Sequence, residues 1–166
     1  MIEWILKKAW SAYFKNGNEH SLNLVFRHFI IQKVLRINSN VDWPIHWTSK
    51  VSAPERINRG SRTPGLSQGC HIDGRNGIQF GKNVWVGPHV AIISMNHDLN
   101  DYSKYVEAPP IKIGDDCWIG AKAIILPSVV LGSRTVVAAG SVVTKSFTEG
   151  NQILGGNPAK PIRKLP

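Results

Sequence analysis

The sequence predicts a mainly β protein in which a six-residue repeat winds into a parallel β-helix, preceded by an N-terminal helical segment. Aliphatic residues recur every six positions in the second half of the chain, at Ile113, Ile119, Ile125, Leu131, Val137 and Val143. Four positions after an aliphatic residue stands a small or β-branched one, at Cys117, Ala123, Val129, Thr135 and Ser141. Gly or Ala directly follows most of the aliphatic residues, at Gly114, Gly120, Gly132 and Ala138. The same template fits two upstream stretches, Phe80 to Val84 and Val86 to Val90.

A six-residue unit is too short for a helical repeat, but it suits one short strand and one turn. The aliphatic side chain then points inward, the small residue fits the corner, and the glycine permits the bend. Three units close one triangular coil of about 18 residues, and stacked coils bury a continuous core. A β-sandwich is the alternative, but its strands alternate with a period of two and turn about every 8–12 residues. The observed period favours the β-helix.

The repeat is interrupted between Ile92 and Ile113. Their spacing of 21 residues is not a multiple of six, so at least part of residues 94–110 leaves the coil as a loop. The loop carries Asn96, His97 and Asp98. A lone histidine is usually just an exposed side chain, but an imidazole on such a loop can act as a general base on a ligand lying against the β-helix. The position of His97 therefore favours a catalytic role.

The first 60 residues are predicted to form a separate N-terminal part. An apolar helical pattern runs through residues 2–37, with one break at Asn16-Gly17-Asn18 and a second helix expected from Leu22 to Leu35. Pro and Gly then accumulate between residues 41 and 69, which predicts irregular chain. We therefore expect helices and an irregular lead-in over residues 1–60, and the β-helix with its loop 94–110 and C-terminal tail over residues 61–166.

The composition predicts one principal domain that attracts an anionic partner. The chain has 166 residues, and 20 Lys and Arg against 11 Asp and Glu give a formal net charge of +9. Such a charge draws in nucleic acid, acidic membranes or phosphorylated small molecules, but no nucleic-acid-binding signature is present. Cys70 and Cys117 form no CxxC pair, which suits a reducing cytoplasm. The apolar N-terminal run is broken at once by charge, so neither a signal peptide nor a membrane span is expected.

Four motifs in a fixed order resemble those of the hexapeptide-repeat acyltransferases, in the branch of the galactoside, maltose and polysaccharide O-acetyltransferases. They are Asn96-His97-Asp98, Cys117-Trp118-Ile119-Gly120-Ala121, Ala139-Gly140-Ser141-Val142-Val143-Thr144-Lys145 and Gly156-Asn157-Pro158-Ala159-Lys160. The resemblance covers about residues 64–166. It implies a left-handed β-helix, a homotrimer with its sites between subunits, acetyl-CoA as co-substrate, and no metal.

The resemblance also implies roles for the residues of the transfer step. His97 removes the proton of a sugar-like acceptor, and Asn96 and Asp98 contact that acceptor. Asp98 either orients the imidazole or serves as a turn residue. The backbone N–H of Ala121 donates a hydrogen bond to the thioester oxygen, on which negative charge develops.

The donor-binding residues implied by the resemblance are Trp118, Ala121, Ala139, Thr144, Lys145, Pro158, Lys160 and Arg163. Trp118 is expected to line the acyl channel, and Pro158 to close the adenine end. Lys145, Lys160 and Arg163 are suitably cationic for the donor's phosphates. Packing at a subunit seam is the alternative for Trp118, and a solvated basic tail is the alternative for Lys160 and Arg163.

The acceptor and the exact reaction stay open. O-acetylation of a sugar or polysaccharide precursor is preferred, since residues 1–60 look closer to capsule or surface-polysaccharide acetyltransferases. N-acetylation of an amino sugar is an alternative. A zinc hydratase of the carbonic anhydrase type is another, with His71, His89 and His97 as candidate ligands. Basic residues accompany Trp4 and Trp10 on the predicted helices, so weak association with an anionic membrane surface is also predicted.

Overall fold

Strands of two to six residues follow one another as five coils of a three-sided parallel β-helix. The structure is a computed structural model that describes residues 2–10 and 22–166. The first coil has β1 (Lys50–Ser52) and β2 (Ile57–Asn58), and the second has β3 (His71–Asp73), β4 (Ile78–Phe80) and β5 (Trp85–Val86). The third has β6 (Ala91–Ile93), a hairpin of β7 (Asn96–His97) and β8 (Tyr105–Val106), then β9 (Ile111–Ile113) and β10 (Trp118–Ile119). The fourth has β11 (Ile124–Ile125), β12 (Val130–Leu131) and β13 (Thr135–Val137). The fifth has β14 (Val142–Val143) and β15 (Gln152–Gly156), after which β16 (Ala159–Lys164) runs back antiparallel to β15.

The strands stack into three faces. The first face contains β1, β3, β6, β11 and β14; the second contains β2, β4, β9 and β12; and the third contains β5, β10, β13, β15 and β16. All pairs along the coils are parallel, and Trp118 pairs with Val136 one coil of eighteen residues further on. Trp85 pairs with Trp118 across a longer interval, because the β7–β8 hairpin is inserted between them. This topology confirms the predicted β-helix and its protruding loop, and it is incompatible with a β-sandwich.

The core contains the residues that the repeat predicts. The six periodic aliphatic side chains from Ile113 to Val143 are at most 2% exposed, and so are the small residues from Cys117 to Ser141. The turns show the same period, because a residue with positive φ recurs at Asp116, Lys122, Ser128, Arg134 and Gly140. The six-residue spacing therefore sets both the buried row and the bend at each corner.

The N-terminal part contains two helices, α1 (Ile2–Ala9) and α2 (Leu22–Phe29), and a π-helical turn over Ile30–Val34. The second helical segment therefore runs from Leu22 to Val34, which agrees with the predicted stretch from Leu22 to Leu35. The predicted break at residues 16–18 lies outside the described residues. Leu6, Trp10 and Val25 are buried. The buried Gln32 amide donates to the Trp43 carbonyl and accepts from the Ile45 N–H, which ties the helical part to the lead-in. No helix in the described part of the chain has the length and apolarity needed to cross a membrane.

The β-helix starts earlier than the predicted boundary at residue 61. β1 pairs in parallel with β3, and β2 pairs in parallel with β4, so the first coil begins at Lys50. This coil was not predicted, because proline and glycine occupy its corners and both residues suggest irregular chain. Pro54 opens a single 3-10 turn between β1 and β2, and Gly60 has φ of 65° with the backbone of Gly81 directly against it.

Candidate active site

His97 projects from the corner between the first and second faces, on strand β7 of the inserted hairpin. It pairs with Tyr105 on β8, and the two rings lie 4.6 Å apart. Its Nδ1 lies 2.5 Å from the carbonyl oxygen of Tyr102. Because a carbonyl oxygen only accepts, Nδ1 carries the proton and Nε2 keeps its lone pair. The imidazole is exposed, so this arrangement presents a proton acceptor to a ligand.

The turn of the hairpin contains hydrogen bonds between its own residues. Asp98 Oδ1 accepts hydrogen bonds from the N–H groups of Asn100 and Asp101, at 2.7 and 3.3 Å. These are turn contacts, whereas the hydrogen bond of the His97 ring runs to the Tyr102 carbonyl oxygen. Asn96 is exposed beside His97, and both line a shallow pocket with Leu99 and Val106. Asn96, His97 and Asp98 therefore lie together, with the imidazole oriented by a backbone carbonyl.

Ala121 and Ala139 lie at a different corner, between the third and first faces. They occupy the same place in successive coils, and the Gly140 N–H donates to the Ala121 carbonyl oxygen at 2.8 Å. A Cβ on Gly120 would stand 2.7 Å from the Ala139 nitrogen, so this close stacking requires glycine. Within residues 2–10 and 22–166, the backbone N–H groups of Ala121 and Ala139 donate to no protein acceptor. This corner thus holds unpaired amide donors on a rigid frame.

Trp118 lies on the third face, beside that corner, and is 56% exposed. It pairs with Trp85 of the coil before and with Val136 of the coil after. Trp85 is also exposed, and the Arg62 guanidinium carbon lies 3.4 Å from the centre of its ring. Trp85 was not predicted as a site residue, although it precedes Val86-Gly87 as Trp118 precedes Ile119-Gly120. The third face therefore presents two aromatic rings in register.

The other residues predicted to bind the acyl donor lie in three places. Thr144 and Lys145 are exposed at the corner between the first and second faces, two coils beyond the hairpin. Lys160 and Arg163 are exposed on β16, where Arg163 pairs with Ile153 at the edge of the third face. Pro158 is exposed in the turn before β16, after a cis peptide bond. These cations lie toward the last coils, away from Trp85.

The predicted residues thus form two groups within one chain. We call the corner that carries the hairpin, Thr144 and Lys145 the loop corner, and the corner that carries Ala121 and Ala139 the amide corner. The full width of the first face separates them. No hydrogen bond or ring contact within the described chain joins the hairpin to Trp118 or to either alanine. A single chain therefore contains two partial sites.

Other reactive groups are buried or dispersed. Cys70 and Cys117 are buried, and burial raises the pKa of each thiol, so neither is suited to act as a thiolate. His71 lies on β3, His89 at the amide corner of the second coil and His97 on the hairpin. Across the part of the chain that the structure describes, no three metal-binding side chains come together.

Comparison with known proteins gives the class of this fold. Residues 110–145 match the bacterial transferase hexapeptide (six repeats) family. A hexapeptide-repeat acetyltransferase from Vibrio cholerae superimposes with a TM-score of 0.56, at 25% identity, over 99% of this chain and 93% of that one. An N-acyltransferase from Bacillus cereus, solved with dTDP and 3-hydroxybutyryl-CoA, gives a TM-score of 0.60 at 19% identity, over 74% and 79% of the two chains. The chain is therefore similar to hexapeptide-repeat acetyltransferases, and its fold is the predicted left-handed parallel β-helix.

Its sequence relatives are acyltransferases. The galactoside O-acetyltransferase of Escherichia coli is 34% identical over 91 residues, which are 53% of this chain and 44% of that protein. The chloramphenicol acetyltransferase of Agrobacterium fabrum is 38% identical over 90 residues, which are 53% and 43% of the two chains. The chain matches less than half the length of these curated relatives. The resemblance to the hexapeptide-repeat acyltransferases is confirmed.

Proposed function

We propose that this protein is an acetyl-CoA-dependent O-acetyltransferase that acts on a hydroxyl group of a sugar or polysaccharide precursor. The observation that carries the proposal is the Nδ1 contact of His97 with the Tyr102 carbonyl oxygen, which leaves Nε2 as an exposed proton acceptor. The reducing cytoplasm is the proposed location, because both cysteines are free thiols.

The proposed reaction is a direct transfer. Nε2 of His97 takes the proton of the acceptor hydroxyl as its oxygen attacks the thioester carbonyl carbon. Negative charge develops on the carbonyl oxygen, and the Ala121 N–H is a preformed donor for it. Collapse of the tetrahedral species breaks the C–S bond, and the departing CoA sulfur recovers the proton from His97. Acetyl ester and CoA are the products.

The proposed donor site follows the third face and the amide corner, and it also includes Thr144 and Lys145 at the loop corner. Trp118 offers an apolar wall for the acyl and pantetheine chain, and the unpaired Ala139 N–H is a donor for a pantetheine amide. Thr144 and Lys145, together with Pro158, Lys160 and Arg163 at the end of the β-helix, are assigned to the nucleotide part. The three cations suit its phosphates.

A homotrimer is proposed because one chain does not complete the site. The base lies at the loop corner, whereas the amide donors lie at the amide corner. If three chains pack with the loop corner of one against the amide corner of the next, each interface gains both groups. The outward side chains of the third face support such packing, since Trp85, Trp118, Val136 and Ile153 form one apolar row.

Contact with an anionic membrane surface is a separate proposal for the helical part. Trp4 is 66% exposed, and the Lys8 ammonium lies 5.3 Å from its ring centre. Phe26, Ile30 and Val34 are exposed at intervals of four residues. An amphipathic surface of this kind can lie on anionic headgroups and bring a lipid-linked sugar to the site. Cosedimentation with phosphatidylglycerol vesicles at low salt is expected, and its absence contradicts this proposal.

The test of the transferase proposal is a screen of acceptors for CoA release. We expect turnover of acetyl-CoA with a free or nucleotide-linked sugar, and a product whose added acetyl group is removed by hydroxylamine. That lability identifies an ester, whereas a resistant acetyl group identifies an amide and overturns the O-acetyl assignment. Hydration of CO₂ by the purified protein, with stoichiometric zinc, overturns the transferase itself.

A further inference from the structure

The loop corner of the second coil lies directly beneath the hairpin that carries His97. This corner follows β3 and comprises residues 73–77. We propose that Arg75 and Asn76, both in this corner, are positioning residues that fix His97 for the reaction. The inference rests on the proposed function, in which His97 is the base. Neither residue lies in the motifs that carry the resemblance.

Asn76 holds both roots of the hairpin. Its side-chain Nδ2 donates to the Ser94 carbonyl oxygen at 2.9 Å and to the Val106 carbonyl oxygen at 3.0 Å. Its backbone N–H donates to the buried Ser94 hydroxyl at 2.8 Å. Ser94 lies two residues before β7, and Val106 lies on the returning strand β8. One amide group therefore sets the separation of the two strands on which the position of His97 depends.

Arg75 reaches the imidazole through one aromatic ring. Its Nε and Nη2 donate to the two carboxylate oxygens of Asp73 at 2.9–3.1 and 2.7 Å. Asp73 is 2% exposed, so the guanidinium is fixed to the β-helix frame. The guanidinium carbon lies 4.5 Å from the centre of the Tyr105 ring, and that ring lies 4.6 Å from the His97 ring. Side-chain contacts thus connect the β-helix to the base in one row, which consists of Asp73, Arg75, Tyr105 and His97.

The row acts on the base and not on the donor site. Its contacts end on the hairpin, and no contact in the described chain links it to Ala121, Ala139 or Trp118. Loss of these contacts should therefore increase the mobility of His97 without changing the binding of acetyl-CoA. A misplacement of about 1 Å in a reacting group can cost about a hundredfold in rate, which is enough to measure.

The experiment uses the full chain with substitutions at two contacts, which we call clamps. The first clamp is the Asn76 amide, and the second is the Tyr105 ring between Arg75 and His97. Asn76→Ala removes the first clamp, and Tyr105→Leu removes the ring between Arg75 and His97. Tyr105→Phe is the matched conservative variant, since it keeps the ring. Lys104→Ala is the control within the hairpin, because its side chain forms an exposed ion pair with Asp101, a kind of contact that adds little to stability. Hydrogen exchange, affinity for coenzyme A and turnover of acetyl-CoA are measured for each.

We expect faster exchange over residues 94–110 in Asn76→Ala and Tyr105→Leu, with unchanged exchange in the other coils. Turnover falls about tenfold or more in both, the affinity for coenzyme A is unchanged, and Tyr105→Phe and Lys104→Ala resemble wild type. Wild-type exchange and turnover in Asn76→Ala and Tyr105→Leu, or equal losses in Tyr105→Phe and Tyr105→Leu, overturn the inference. Full turnover in His97→Ala overturns the proposed base instead, and the exchange data still decide whether the clamps hold the hairpin.

Discussion

The loop corner and the amide corner are built from the same repeat but supply opposite kinds of chemistry. At the amide corner, successive coils stack so closely that only glycine fits at residue 120. The backbone N–H groups of Ala121 and Ala139 have no hydrogen-bond partner among the described residues. At the loop corner, the third coil is interrupted by a hairpin that ends in side-chain contacts around His97. One corner offers fixed donors, and the other offers a proton acceptor.

This difference shows how a repeat protein acquires a site. Regular stacking positions backbone groups with high precision, but its turns are too tight to hold a base above a ligand. An inserted hairpin supplies the basic side chain, but it must be held in place by further contacts. Here these contacts come from the Tyr102 carbonyl and from the loop corner of the second coil. Substitutions that affect one corner alone should therefore have separable effects.

The largest effect is expected from His97→Ala at the loop corner. Loss of a general base lowers turnover about 10²–10⁴-fold. Affinity for coenzyme A should stay at the wild-type level, because none of the residues assigned to the donor lies on the hairpin. Steady-state kinetics and calorimetry with coenzyme A check this, with His71→Ala as the matched histidine control. Wild-type turnover in His97→Ala would remove the loop corner from the chemistry.

The next effect is expected from Ala121→Pro at the amide corner, which deletes one N–H donor. Proline already occupies the equivalent place one coil earlier, at Pro88, and the following residues His89 and Lys122 both have positive φ. The turn therefore accepts proline without distortion. Loss of one donor to the developing oxyanion lowers turnover about 10²–10³-fold. The contrasting variant Ala139→Pro should mainly raise the KM for acetyl-CoA, and identical kinetics for the two variants would contradict the assignment.

A smaller effect is expected from Lys160→Ala on β16. Its ammonium is exposed, so its loss should weaken the affinity for acetyl-CoA only about two- to tenfold. The loss should shrink as salt is added, because salt screens exposed charges. Dephospho-CoA and coenzyme A are compared by calorimetry at two ionic strengths. Equal affinity of wild type and Lys160→Ala at low salt speaks against a phosphate contact.

The last effect is on stability and not on turnover, and it arises at the base of the loop corner. Burial raises the pKa of Asp73, but the hydrogen bonds from Arg75 outweigh it, and the net pKa lies below the ordinary value of 3.8. The carboxylate therefore contributes stability that is fully present above pH 3.8 and is lost as the pH falls through its lowered pKa. Asp73→Asn should cost about 1–3 kcal/mol of unfolding free energy at pH 7. The difference from wild type should shrink below pH 3.8 in urea unfolding, and a pH-independent difference contradicts this origin.

The repeat predicted the regular coils well because each buried position follows from one local rule. Ile119, Ile125 and Val137 need no long-range information to be placed in the core. The first coil escaped prediction because Pro54 and Gly60 occupy its corners. The orientation of His97 also escaped prediction, since its partner is a backbone carbonyl that leaves no mark in the sequence.

Contacts between residues far apart in the sequence were also not predicted. Arg75 and Tyr105 are thirty residues apart, and only the insertion of the hairpin above the second coil brings them together. Trp85 was in principle detectable, because it holds the same place in its repeat as Trp118. Periodicity thus predicts the coils of the β-helix. The residues that position His97 cannot be predicted in this way, because their contacts depend on how the hairpin packs against the second coil.

The most direct test of a site shared between two corners is activity in mixed trimers of His97→Ala and Ala121→Pro subunits. Each inactive variant retains the corner that the other lacks. If neighbouring chains supply the two corners, every mixed trimer contains one intact site, and refolding equal amounts together restores about a quarter of wild-type turnover. If both groups act within one chain, the mixture stays as inactive as its components, and that result would contradict the account.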